Sequence, residues 1–349
     1  MLAVLLPVVT RRRAMRSGIC YNLSHSIEEE PVARRELGML IPTRQAVLAS
    51  RERPPLEPMW ELARRAEGAG VDGLWVGDSI TARPRVEVLT TLAYLAAITR
   101  RPRLGTAVLL PALRKPVELA LTLANIDQLA GGRLVVGVGT GAAVEPNRRE
   151  AEALGIDIAQ RGKLLSETLD VMCRLWSGET VTFEGTGYRL QEIALAPLPL
   201  QRPGPPVLVT CGNAGKILDA QVRRVARFGA GIIVTQVTPD DLRAVRTQLG
   251  PRLAALDRDL ATMEIAVYCT VRIDEDRARA QQAIADFTTA YYGRAVPERS
   301  AAAGAADVAI QTIRDYHDAG ATHVIVRFAG DDQLEQFGRF EREVLPALR

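Results

Sequence analysis

Apolar and polar positions fall along this chain in short, regularly spaced blocks. Apolar runs lie near 38–42, 73–77, 104–110, 133–138, 207–211, 231–235, 264–273 and 323–328. Between and after them, stretches at 57–69, 86–100, 116–130, 161–176, 214–228, 239–257, 276–290 and 332–344 repeat their apolar positions at helical spacing. In the stretch over 116–130, Leu119, Leu123, Ile126 and Ala130 share one face. Pro116 opens that helix at a position where the missing N–H has no helical partner to lose. Gly131-Gly132 closes it, because glycine takes a left-handed closing conformation without a Cβ penalty. An apolar strand on either side of such a helix makes a parallel unit with both strand faces buried.

One phrase recurs. Gly68-Ala69-Gly70 leads to Leu74-Trp75-Val76, Gly229-Ala230-Gly231 to Ile232-Ile233-Val234, and Ala319-Gly320-Ala321 to Val324-Ile325-Val326. Each reads as a helix end, a glycine turn and a buried strand. Eight alternations of this kind predict an α/β fold, a (β/α)8 TIM barrel. The rival, a doubly wound open sheet, lacks a G-x-G-x-x-G after the first strand. Two connections are longer than ordinary loops, 142–206 and 274–322, and predict insertions after strands 4 and 7. Residues 38–349 form the barrel domain. Residues 1–37 read as an extension, disordered or upstream of the true start; Arg11-Arg12-Arg13 follows the apolar Met1–Thr10, the wrong order for a secretory signal.

Composition narrows the function classes. Of 349 residues, 47% are hydrophobic and 24% charged, with a net charge of +3, too little for a nucleic-acid footprint. Lys115, Lys163 and Lys216 are the only lysines, so the positive charge is arginine, read here as a base-composition bias. No apolar span reaches membrane length. Cys20, Cys173, Cys211 and Cys269 show no metal or disulfide spacing and fit a reduced, cytoplasmic protein.

The chemistry offered by the strand ends is sparse in acids and bases. His25 lies in the extension, His317 in a helix, and His323 at the start of the last strand, the end away from a barrel's ligand face. That argues against a Ser-His-Asp set and against a histidine metal site. Asp78 follows strand 2, as a turn or N-cap residue or as a catalytic one. Glycine is plentiful: Gly137-Val138-Gly139-Thr140-Gly141 ends strand 4, and Cys211-Gly212-Asn213-Ala214-Gly215-Lys216 ends strand 5 and opens a helix. Such N–H-rich turns suit a phosphate, and with no protein acid–base set they favour a cofactor that carries the chemistry itself.

The run Leu104-Gly105-Thr106-Ala107-Val108-Leu109-Leu110-Pro111, then Pro116, then Asp127-Gln128-Leu129-Ala130-Gly131-Gly132-Arg133-Leu134 leading to Gly137-Val138-Gly139, resembles the bacterial-luciferase-like flavin-dependent oxidoreductases, the luciferase-like monooxygenases. Gly73-Leu74-Trp75-Val76-Gly77-Asp78, Arg161 and Trp176 add to the likeness, which spans 38–348. The resemblance implies a (β/α)8 barrel that binds reduced FMN, or coenzyme F420, at its C-terminal mouth. It implies a monooxygenase using reduced FMN and O2 on a small organic substrate, with a separate flavin reductase and a homodimer. The alternatives are F420-dependent hydride transfer on the same fold and a non-catalytic flavin-binding barrel. By the same resemblance Thr106, Ala107 and Val108 form a bulge under the cofactor ring, often with a non-prolyl cis peptide, and Thr140, Gly141, Arg161, Gly212 and Asn213 contact phosphate. Family members often carry histidine after strand 2, where this chain has Asp78-Ser79-Ile80, and luciferases carry a cysteine where it has Gly139. Asp78 and Ser79 are therefore the candidates for catalytic polar contacts, and Arg327 for an anionic substrate group.

Overall fold

The computed structural model describes residues 35–292 and 300–349. Eight strands close a parallel barrel: β1 (Glu36–Leu40), β2 (Gly73–Val76), β3 (Arg103–Leu109), β4 (Leu134–Val138), β7 (Val207–Thr210), β8 (Gly231–Val234), β9 (Glu264–Ile273) and β11 (His323–Phe328), with β11 pairing back to β1. β5 (Val181–Glu184) and β6 (Arg189–Ile193) form a separate antiparallel hairpin. β10 (Ala301–Gly304) runs parallel to the far end of β9. Outside the barrel lie α1 (Thr43–Ala49), α2 (Glu57–Gly68), α3 (Val88–Ile98), α4 (Pro116–Leu129), α5 (Glu145–Ala153), α6 (Arg161–Trp176), α7 (Asp219–Phe228), α8 (Pro239–Ala254), α9 (Arg277–Tyr292), α10 (Ala306–Asp318), α11 (Gln333–Glu343) and α12 (Leu345–Leu348).

The expected barrel is present, with every apolar run on a barrel strand and both long connections carrying extra elements. The first holds α5, α6 and the hairpin; the second holds α9, β10 and α10. The short α1 and α5 carry too little apolar periodicity to be read from sequence. Residues 1–34 of the expected extension lie outside the described residues, while Glu36 and Leu37 already belong to β1.

The glycine phrase behaves in two ways. After α2 and α10, Gly70 and Gly320 take positive φ (75° and 97°), and the chain folds back so that Val71 and Ala321 donate to the carbonyls of Ala66 and Tyr316. The same closure follows α4, at Gly131 and Gly132. Gly229 instead stays at φ −81°, so α7 runs into β8 without a left-handed residue.

The barrel interior takes one apolar side chain from each strand: Leu40, Trp75, Ala107, Val135, Leu208, Ile233, Ala266 and Ile325. Trp75 is the largest and fills the floor. A Cβ at Gly38 would sit 2.5 Å from its Nε1, and one at Gly105 2.2 Å from its Cε3. Glycine on both neighbouring strands is what admits the indole. A larger cluster packs the outer strand faces against the helices. Among the described residues no helix is long and apolar enough to cross a membrane.

Candidate active site

The strand C-termini form the mouth, and β3 is irregular there. Its pairing with β4 shifts register between Thr106 and Leu109, and the Ala107–Val108 peptide is cis. Thr106 turns its hydroxyl to the Gly137 carbonyl (2.7 Å), and Gly139 N–H picks up the Leu109 carbonyl (2.9 Å) beyond the irregularity. Gly137 allows this approach, since a Cβ there would lie 2.1 Å from the Thr106 carbonyl oxygen. The Tyr268 phenol, from β9, crosses the barrel and donates to the Ala107 carbonyl.

Beside this bulge the β4 end opens a shallow cleft lined by Leu110, Thr140, Gly141, Asn147, Glu150 and Arg161 among others. Arg161, first residue of α6, donates to the carbonyls of Gly141 (3.4 Å) and Ile158 (2.9 Å). Thr140, Gly141 and Arg161, expected to hold a phosphate, thus meet on one cleft. Gly212 and Asn213 do not line it. Gly212 is left-handed (φ 80°), and the Asn213 side-chain oxygen accepts from Thr235 N–H (3.1 Å), tying the ends of β7 and β8 together. The expected helix does not start at this loop. A single 3₁₀ turn over Asn213–Gly215, with Ala214 at φ 51°, separates β7 from α7, which begins at Asp219. No helix dipole therefore supports a phosphate there, and Lys216 points to solvent. Cys211 just before it is buried, which pushes its thiol up to about 11.

Asp78 and Ser79 are both committed. The Asp78 carboxylate takes a two-pronged pair from Arg114 (2.6 and 2.9 Å) and the Leu110 N–H (2.9 Å), with its side chain only 1% exposed. It joins the end of β2 to the loop after β3. Ser79 donates to Glu150 (3.1 Å) and accepts from Arg83 N–H (2.9 Å). One oxygen of Glu150 also receives the N–H groups of Ile80, Thr81 and Ala82 at 2.6–2.9 Å. A carboxylate in a nest of backbone donors holds a loop. Neither sequence candidate presents a spare oxygen to the mouth.

The opposite side of the mouth, from β9 through β11 and β1 to β2, is cationic and aromatic. Arg327, at the end of β11, is 6% exposed; it donates to Tyr292 Oη and Thr270 Oγ1, both at 2.7 Å. Arg44, after β1, donates to the carbonyls of Tyr291 (2.6 Å) and Ala290 (3.1 Å), and Arg83 also reaches Tyr291 O. Arg85 donates to Tyr291 Oη at 3.2 Å. Gly77 makes room for it, since a Cβ there would lie 2.2 Å from Arg85 Nη1. The guanidiniums of Arg44, Arg327 and Arg85 stand 4.6, 5.0 and 5.8 Å from the centre of the Tyr291 ring. Burial pushes the Tyr291 phenol up, but Arg85, Arg327 and Arg44 outweigh it and hold the group below the usual phenol range. Tyr268, buried and beside Tyr291 and Tyr292, is raised well above that range and remains a donor.

The profile of the luciferase-like monooxygenases matches residues 36–338. The chain belongs to that family. Among curated luciferase-like relatives, an F420-dependent glucose-6-phosphate dehydrogenase of Kineococcus radiotolerans is 29% identical over 322 residues, 83% of this chain and 92% of that protein. One of Mycobacterium avium is 27% identical over 333 residues, 86% and 96% of the two chains. Among solved structures, the monooxygenase RslO1 of Streptomyces bottropensis superposes with a TM-score of 0.73 at 23% identity, covering 90% of this chain and all of its own. An F420-dependent secondary alcohol dehydrogenase gives 0.73 at 19% identity, covering 90% and 99%. These two likenesses establish the shared barrel.

The mouth of this luciferase-like chain fits a planar ring with a phosphate-bearing tail. The β3 end breaks register between Thr106 and Leu109, Gly139 leaves no room for a Cβ between Val108 and Thr210, and Leu110, next in the chain, lines the Thr140–Gly141–Arg161 cleft. The residues named from the sequence, Thr106 to Val108, Thr140, Gly141 and Arg161, lie on that half. Sequence reading missed Arg44, Arg85, Tyr268, Tyr291 and Tyr292, which no local spacing marks. The one available signal was the Tyr291-Tyr292 pair in an otherwise aromatic-poor chain.

Proposed function

We propose that the protein is a coenzyme F420-dependent oxidoreductase that moves a hydride to or from a small organic substrate. The observation that carries this is the irregular β3 end, where the pairing with β4 shifts register between Thr106 and Leu109, beside the Thr140–Gly141–Arg161 cleft. Relatives over more than four-fifths of the chain, named as F420-dependent dehydrogenases, favour the deazaflavin over FMN. Such a cofactor, when bound, supplies the two-electron hydride chemistry.

The chain's own residues supply the rest. Thr106, Ala107 and Val108 support the ring. Thr140, Gly141 and Arg161 hold the phosphate-bearing part, and Gly212 and Asn213 shape the neighbouring rim. Asp78 and Ser79 position the loops after β2 and β3 rather than exchanging protons. Tyr268, Phe287, Tyr291 and Tyr292 wall the opposite side and keep water out, which strengthens every charge inside. Tyr291, with Arg85 donating to its oxygen, is the mouth group able to hold or release a substrate proton.

Side-by-side fluorescence titrations of the full-length protein with F420 and with FMN test the reading. The expected result is an F420 affinity at least about tenfold the higher, a difference of about 1.4 kcal/mol. Equal or tighter FMN binding would return the protein to the flavin monooxygenase reading, and no binding of either would end both.

A further inference from the structure

Among the described residues, the arginines on this side of the mouth form a cluster that meets only carbonyls, hydroxyls and a phenol. Among the described residues, no carboxylate pairs with Arg44, Arg83, Arg85 or Arg327. The carboxylate that acts on Arg85, Asp78, is already clamped by Arg114. Arg44 and Arg83 face the last carbonyls of α9, where the helix dipole offers partial negative charge. Arg327 faces hydroxyls, and Arg85 a phenol and a backbone carbonyl. The Nε atoms of Arg44 and Arg327 are buried with no hydrogen-bond partner. A buried guanidinium is costly unless it is paired and hydrogen-bonded. Here several converge on one phenol, in the part of the fold where barrels bind ligands.

We infer that this arc, centred on Arg85 and Arg327 with Arg44 beside them, binds a compact oxyanion carried by the substrate. The inference rests on the proposed reading of the mouth as an oxidoreductase site and names its substrate class: a small molecule bearing a phosphate or carboxylate group. The planar guanidinium fork suits either group, because it gives paired N–H donors to two oxygens at once. The oxyanion group enters between the guanidiniums, beside the Tyr291 and Tyr292 hydroxyls they hold. The reacting carbon is thereby directed toward the Ala107–Val108 face. The Arg161 cleft on the far side stays with the cofactor.

Isothermal titration of the full-length, cofactor-free protein with inorganic phosphate, and separately with malonate, tests this. Saturable binding is expected, weakened by about tenfold or more in Arg85→Met and in Arg327→Met and retained in Arg161→Met. The tighter of the two probes identifies the oxyanion. If either methionine variant melts early, Arg85→Lys and Arg327→Lys carry the test: they keep the charge, lose the fork, and should bind several-fold more weakly. Absence of binding, binding indifferent to Arg85 and Arg327, or binding lost only in Arg161→Met would overturn the inference. F420 titration of the same samples separates the two ideas. Failure of F420 to bind, with the phosphate result intact, ends the cofactor reading alone; the reverse ends the oxyanion site alone.

Discussion

The two ends of the barrel treat arginine in opposite ways. At the floor, Arg103 is held by Glu36 (2.9 Å) and by both oxygens of Glu264 (2.8 and 2.9 Å). Glu36 also meets His323 Nδ1 at 3.0 Å, and Trp75 donates its indole N–H to His323 Nε2 at 2.9 Å. An indole can only donate, so His323 accepts at Nε2 and carries its proton on Nδ1, directed at Glu36. Cation, carboxylates, imidazole and indole form one satisfied network under the Trp75 plug. At the mouth, Arg44, Arg83, Arg85 and Arg327 meet carbonyls and hydroxyls instead. One end pairs its cation with carboxylates and serves stability. The other is left positive, the condition expected of a site that receives its counter-charge from a ligand.

The largest expected effect breaks the floor. Arg103→Met leaves Glu36 and Glu264 close together, each only a fifth to a quarter exposed, without their shared cation. Removing one partner of such a network costs about 3 kcal/mol, the lower end of the range for buried pairs because water reaches these carboxylates. Chemical denaturation of the variant against the parent measures it. A loss under about 1 kcal/mol would mean the floor is no more than a surface ion pair.

Acid should open the same network from the other side. Burial pushes the Glu36 carboxyl up, but His323 and Arg103 outweigh it and bring the group down to about 2, from an ordinary value of 4.5. The folded value is the lower one, so the stabilisation is fully present above about pH 4.5 and is lost as pH falls toward 2. About 2 kcal/mol of the acid-dependent loss is assigned to this residue, less than the shift alone implies because the side chain is partly exposed. Denaturation curves across that range for the parent and for Glu36→Gln should converge as pH falls. Parallel curves would remove Glu36 from the account.

The difference between the ends also decided what the sequence could reveal. The barrel was legible because each strand repeats the same local pattern, and the bulge at Thr106–Val108 because its phrase is continuous. Arg161 joins Thr140 and Gly141 from only 20 residues away, within one insertion. The cationic arc has no such local signature. Arg44 and Arg85 reach the end of α9 across 247 and 206 residues, and Arg327 comes from the last strand. Arginine is also so abundant here that no single one stands out. Asp78 is hard to read for a related reason: its contacts depend on Arg114, 36 residues on, which claims both oxygens. The loop after β7 was read as a helix start because Gly-Asn-Ala-Gly-Lys suits one, yet Gly212 and Ala214 both turn left-handed and spend those residues on a tight turn.

At the mouth, the phenol that stands where a carboxylate would stand at the floor should report the imbalance. Tyr291 is held below the ordinary phenol range by Arg85, Arg327 and Arg44 against the opposing push of burial. In an ultraviolet difference titration its ionisation should come at lower pH than that of the other tyrosines and vanish in Tyr291→Phe. An oxyanion bound among the arginines offsets their charge, so phosphate should move this titration back up. A Tyr291 that ionises last, or a titration unmoved by phosphate, would remove the uncompensated charge on which the contrast stands.

The smallest expected effect is the sharpest test, because it is a near-absence. Arg327→Met keeps an unbranched stem among Tyr268, Phe287, Tyr291 and Tyr292 while deleting the charge. Two hydrogen bonds are lost, to Tyr292 and Thr270, but an unpaired buried Nε goes with them. Replacing an uncompensated buried ion by an apolar side chain of similar length is often neutral or stabilising, so a change within about 1 kcal/mol is expected. Arg103→Met, the same substitution at the other end of the barrel, should cost about three times that. Equal losses would make Arg327 a structural arginine like Arg103, and the mouth would then need no ligand to explain its charge.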